Sequence, residues 1–133
     1  MTVPEVVDSS AWLEYFGDGP NADFFAPAIE TPADLVVPSL VIAEVVRRLD
    51  VLGHSAVIAE VLAHMRQGRV VPLDESLAIR SATVGRLCGL ALADSIVYAT
   101  ALAVGGVVWT QDADFESLPS VRYRRHAKRA SPG

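Results

Sequence analysis

Short apolar runs alternate along this chain with longer stretches of helical periodicity. Val3 to Val7 is the first run, and it ends at Asp8-Ser9-Ser10, residue types that open helices. The pair predicts a strand and then a helix over Ala11 to Phe16, stopped by Gly17-Asp18-Gly19-Pro20. Asn21 to Ile29 predicts a weaker helix interrupted by Pro27. Leu35-Val36-Val37 predicts a buried strand, Pro38-Ser39 opens a helix over about Leu40 to Leu52, and Gly53 closes it. His54 to Gln67 predicts one further helix, with Val57, Ile58, Val61, Leu62 and Met65 on its apolar positions. Val70 to Leu73 reads as a strand, and Asp74-Glu75-Ser76 opens a helix running to about Cys88. A helix over Ala93 to Val104, a strand over Val107 to Thr110 and an edge strand over Val121 to Tyr123 complete the pattern. Short apolar strands separated by helices predict an α/β fold with a mostly parallel sheet covered on both faces. In such folds a site forms outside the carboxyl ends of the strands.

Composition narrows the class. A chain of 133 residues, 51% apolar and 20% charged, has ample material for one core, so residues 1–133 are expected to form a single domain. No repeat, linker or low-complexity block divides it. The one cysteine, Cys88, excludes an internal disulfide and points to a reducing compartment, here the cytoplasm. Three scattered histidines and one thiol leave no zinc site. The window Leu87 to Trp109 has one charge, Asp94, in 23 residues, long enough on paper to span a bilayer. Gly89, Gly105-Gly106 and that carboxylate break it, so it reads as a buried helix followed by a buried strand. The N-terminus has no basic start, unlike a signal peptide.

Candidate chemistry lies in the acids. Asp8 ends the first strand, and Asp112 and Asp114 follow the strand Val107 to Thr110. Glu44 is the one polar side chain between Leu40 and Val46, and Asp94 is the sole charge between Arg86 and Asp112. Each has an ordinary alternative: Asp8 or Asp94 as a helix cap, Glu44 paired with Arg47 or Arg48, Asp112 and Asp114 as turn residues. Their joint placement past strand ends and inside apolar segments carries the stronger reading. Acids that converge repel one another unless a cation sits among them. All the candidate donors are oxygens, which suits Mg²⁺ or Mn²⁺ and metal-assisted phosphodiester hydrolysis.

Four segments then show a likeness. Val-Val-Asp-Ser-Ser-Ala at 6–11, the apolar helix with Glu44, Leu-Ala-Asp-Ser-Ile-Val-Tyr-Ala-Thr-Ala at 92–101, and Thr-Gln-Asp-Ala-Asp-Phe at 110–115 resemble the PIN domain. More closely, the chain resembles VapC-type toxins of bacterial toxin–antitoxin pairs, in order and spacing over essentially its whole length. The resemblance implies a PIN-like three-layer α/β domain, its central sheet of about four or five strands flanked by helices. It implies an endoribonuclease using Mg²⁺ or Mn²⁺, a homodimer, and a cognate VapB-like antitoxin that holds it inactive. By position, Asp8, Glu44, Asp94 and Asp112 match the catalytic and metal-binding acids, all four present. Thr110 matches a supporting hydroxyl, with Ser9 and Asp114 as further supporting residues.

Surface features bear on substrate and partner. The net charge of −5 does not announce a nucleic-acid binder, yet five of eleven basic residues fall at Arg122, Arg124, Arg125, Lys128 and Arg129. That stretch is either a phosphate-contacting cluster or a solvated tail over about 124–133. Trp12, Tyr15 and Phe16 share a helical face, followed by Phe24 and Phe25, which reads as core packing or as a groove for an antitoxin segment. The segment His54 to Met65 is a candidate for the homodimer contact. Two readings compete with a ribonuclease: a non-catalytic binding module on the same fold, and a related nuclease acting on DNA. A phosphatase with a nucleophilic Asp-x-Asp fits less well, because Ser9 and Ser10 follow Asp8.

Overall fold

The computed structural model describes residues 2–127. Lys128 and Arg129 of the basic stretch lie outside them.

Five strands form one all-parallel sheet in the order β3-β2-β1-β4-β5. They are β1 (Glu5–Val7), β2 (Leu35–Pro38), β3 (Arg69–Val71), β4 (Val107–Thr110) and β5 (Val121–Tyr123). Six helices connect them: α1 (Ser9–Phe16), α2 (Ala22–Ile29), α3 (Ser39–Val51), α4 (Ile58–Met65), α5 (Glu75–Cys88) and α6 (Leu92–Val104). The chain steps outward from β1 to β3 and then returns to the other side of β1. α1 and α2 connect β1 to β2, α3 and α4 connect β2 to β3, and α5 with α6 connects β3 to β4.

Burial follows this order. Val6 and Val7 of β1 are fully buried and all four residues of β2 are buried, while the outer strands β3 and β5 are exposed or half-buried. The central strands are therefore apolar on both faces, which is why they read as continuous runs and not as alternation. Trp12, Phe25, Ile29, Val41, Val45, Val61, Met65, Val97 and Phe115 complete one core.

Where boundaries differ from the sequence expectation, the cause is local. The first strand begins at Glu5 because Pro4 has no N–H to donate, although its carbonyl accepts from Val107 N at 3.0 Å. β3 ends before Pro72 for the same reason. The helix expected over His54 to Gln67 is split into a 3₁₀ turn, Ser55–Val57, and α4. Val61 and Met65 of α4 reach the core, whereas Val57 stays exposed, so tertiary packing draws in only the second part.

α5 and α6 lie against each other with little between them: a Cβ on Gly85 would meet Ser95 Oγ at 2.2 Å. Gly89 ends α5 at φ +68°, a left-handed cap that only glycine adopts without strain, and the chain turns into α6. Among the described residues no single helix is long and apolar enough to cross a membrane. α5 and α6 qualify only as a pair, and they are bent by 108°. The apolar window Leu87 to Trp109 thus resolves into α6 and β4.

Candidate active site

The strand order reverses between β1 and β4, and this is where a doubly wound sheet opens a crevice. Asp8 leaves β1 there and Asp112 leaves β4. Asp8 is 5% exposed and fully bonded: Oδ1 accepts from Ala11 N at 2.9 Å and Ser10 Oγ at 2.7 Å, and Oδ2 accepts from Thr110 Oγ1. The cap and the site are the same residue, one oxygen serving α1 and the other facing β4. Burial pushes its carboxyl up to about 6, against the opposing pull of those three hydrogen bonds, and Asp112 adds a like charge.

Thr110 is fully buried and joins two acids. Its hydroxyl accepts from Asp112 N at 2.9 Å while donating to Asp8. Asp112 in turn accepts from Asp114 N at 2.9 Å and caps the 3₁₀ turn Ala113–Phe115. The turn role expected as the alternative for Asp112 is real, and it aims the same carboxylate into the site.

Asp94 is the third residue of α6, whose N-cap is Ala91, so it does not cap its helix. Asp94, Asp112 and Asp114 each offer a carboxylate oxygen within 4.8 Å of the others. Asp94 is pushed up to about 7, first by partial burial and then by the like charges of Asp112, Asp8, Asp114 and Glu44. Glu44, half-buried on α3, is also raised by burial, with a hydrogen bond from Ser9 opposing. All five sequence-predicted acids therefore meet electrostatically at Asp94. The tight trio includes Asp114, and Asp8 and Glu44 lie outside it.

The supporting residues divide differently from the expectation. Ser9 acts on Glu44 by lowering its proton affinity, and it is Ser10, not singled out before, that bonds Asp8. Both serines stand in the first turn of α1, and sequence spacing alone does not separate them. Asn21 is a second omission. It is 5% exposed, and its side-chain amide donates to Gln111 Oε1 at 3.1 Å and to Arg125 O at 2.9 Å, tying α2 to the segments after β4 and β5. Buried Glu14 holds the Asn21 N–H at 2.9 Å. An Asn after a Gly-Pro turn carries no signal of such contacts.

The aromatic face separates into two uses. Trp12 and Phe25 are fully buried in the core, while Tyr15, Phe16 and Phe24 are half-buried. His64 of α4 sits edge-on to Trp12, Tyr15 and Phe16 at 5.5–6.1 Å between ring centroids.

The donor set is all oxygen, and three carboxylates crowd within 4.8 Å of one another, with the proton affinity of Asp94 raised. Those are the conditions a hard divalent cation relieves, so these residues fit such an ion.

A family model described as the PIN domain matches residues 6–121. Among solved structures, a toxin–antitoxin complex from Klebsiella pneumoniae superposes with a TM-score of 0.75 at 18% identity, covering 89% of this chain and 95% of that one. PAE2754 from Pyrobaculum aerophilum gives 0.72 at 21% identity, covering 92% of each chain. VapC20 from Mycobacterium tuberculosis, described as a sarcin-ricin loop cleaving toxin, gives 0.70 at 16% identity, over 88% of this chain and 96% of that one. No curated protein matches the sequence.

Proposed function

The chain belongs to the PIN domain family, and from that premise we propose that it is a VapC-type toxin, a metal-dependent endoribonuclease of a type II toxin–antitoxin system. The observation that carries this reading is the acidic centre. Asp94, Asp112 and Asp114 gather within 4.8 Å at the strand-order switch, with Asp8 and Glu44 close enough to raise Asp94. Structural likeness to toxin–antitoxin complexes and to an RNA-cleaving toxin supports the substrate and partner classes.

Asp94, Asp112 and Asp114, with Asp8 and Glu44, would hold Mg²⁺ or Mn²⁺. When bound, such an ion supplies Lewis acidity at phosphorus and a more acidic water. The residues contribute the rest. Asp8 is held rigid by three hydrogen bonds, so its position does not depend on substrate. Thr110 keeps Asp112 in register with Asp8. Glu44 has a raised proton affinity, the property required of a group that takes a proton from attacking water.

A VapB-like antitoxin is the partner, with the half-buried Tyr15, Phe16 and Phe24 as its aromatic contact. The toxin acts in the cytoplasm as a homodimer, to which the segment from His54 to Met65 contributes exposed Val57.

Antitoxin-free protein incubated with total cellular RNA tests this directly. Discrete cuts made with Mg²⁺ or Mn²⁺ and lost both in EDTA and in Asp94→Asn are expected. Cleavage that survives Asp94→Asn would reject the site. Absence of cleavage by folded protein with either metal would transfer the reading to a binding module, and cutting of DNA in preference to RNA would change the substrate.

A further inference from the structure

Resting on the nuclease reading, we propose that Arg122 and Arg124 form a clamp for the phosphodiester backbone of the RNA beside the acidic centre. A run of exposed basic residues is by itself an ordinary solvated face. These two differ because each guanidinium lies over an aromatic ring. The Arg122 guanidinium is 5.3 Å from the centroid of Trp109, its register partner on β4, and that of Arg124 is 4.6 Å from the centroid of Phe24. The two rings touch, at 5.3 Å between centroids, so cations and rings make one continuous shelf. The Trp109 indole N–H donates to the Glu5 carboxylate, which fixes the ring.

A guanidinium seated on a ring keeps its planar N–H edges outward, in the fork geometry that grips phosphate oxygens two at a time. The seat is also anchored. Arg124 N donates to Thr110 O at 3.1 Å, and the next carbonyl, Arg125 O, accepts from buried Asn21. Thr110 is the residue that holds Asp8 and Asp112, so the shelf is built directly onto the backbone of the site. The two arginines stand two residues apart on extended chain, about 7 Å along it. In a chain of net charge −5, such a pre-ordered pair gives a polyanion a local landing place on the strand next to β4. An acidic peptide would meet the same charges without a phosphodiester for the neighbouring centre to act on, and RNA is therefore the occupant argued for.

The test titrates a labelled single-stranded oligoribonucleotide against Asp94→Asn protein between about 50 and 200 mM salt. Against that background, Arg122→Gln with Arg124→Gln should lower the steepness of log K against log salt by about 1.4, since each single-strand phosphate contact contributes about 0.7. Arg→Lys at both positions should keep most of the slope while weakening binding, because charge is retained and the planar fork is lost. Arg69→Gln, at the opposite edge of the sheet, should leave the slope unchanged. Circular dichroism checks that each variant is folded. A slope unaltered by the Gln pair, or a parent that binds no RNA, overturns the clamp. Polyglutamate displacing RNA at equal charge concentration also overturns it, in favour of an acidic peptide. Cleavage by protein with Asp94 intact is scored separately. RNA cutting with an unaltered slope rejects the clamp alone, and arginine-dependent binding without cutting rejects the nuclease alone.

Discussion

The Thr110 hydroxyl donates to Asp8 Oδ2 at 2.5 Å, joining the ends of two adjacent strands whose residues are 102 apart in the chain. The same oxygen accepts from Asp112 N. One buried side chain therefore sets the spacing between the acid after β1 and the acid after β4.

Thr110→Val keeps the shape and removes both contacts, leaving a buried carboxylate oxygen and an N–H without a partner. A loss of about 1–3 kcal/mol in urea unfolding is expected, together with weakened metal affinity in a calorimetric titration. Thr110→Ser should restore most of both. Full stability in the Val variant would show that the bond contributes nothing.

Asp94→Asn separates activity from stability. Asp94 bears the repulsion of four other acids, so its neutralisation should leave the metal-free protein as stable or more stable in a thermal melt. Divalent-ion affinity should fall by more than about 100-fold, beyond the usual effect of altering a group behind the ligands. A large drop in metal-free melting temperature would contradict the repulsion.

The metal-free protein should lose stability as pH rises. Asp8 and Asp94 have folded-state values of about 6 and about 7 against 3.8 for the unperturbed group, so the folded protein binds protons that the unfolded chain has released. The derivative of unfolding free energy with pH is then negative from about 4 to about 7. Melting temperatures taken across that range should decline, and saturating Mg²⁺ should flatten the decline at its upper end. A rise with pH in the metal-free protein would reverse the assigned shifts.

Gly85→Ala tests how α6 is seated. The added Cβ would stand 2.2 Å from Ser95 Oγ, one residue after Asp94. Separation of α5 from α6 should cost about 1–3 kcal/mol and shift Asp94 enough to weaken metal binding. A variant with wild-type melting and wild-type affinity would show that the contact relaxes freely.

The strands, their parallel pairing and the acids were legible because each rests on local contrast. Val6-Val7 and Leu35-Val36-Val37 are too apolar for anything but a doubly covered sheet, and Asp94 is conspicuous for its apolar neighbours. Asp8 was legible both as a cap and as a candidate site residue; the structure shows the cap and turns its other oxygen to Thr110. What stayed hidden depends on register. That Arg122 faces Trp109, or that Asn21 reaches Gln111 and Arg125, follows only once β5 lies parallel to β4. The assignment of Ser10 to Asp8 and Ser9 to Glu44 likewise turns on a rotation of one residue about the α1 axis. The break before α4 was hidden because Val57 fits the helical period, yet the core has no place for it.

The adjacency of β1 and β4 also sets a clock on the ribosome. A nascent chain emerges N-terminal end first, at roughly 5–20 residues per second. Until α6 and β4 have emerged it exposes Asp8 and Glu44 with neither Asp94 nor the turn holding Asp112 and Asp114. Docking β4 between β1 and β5 is a long-range step, the kind of contact that slows folding. Translation interrupted before β4 therefore releases fragments in which Asp8 and Glu44 have no Asp112 or Asp114 beside them.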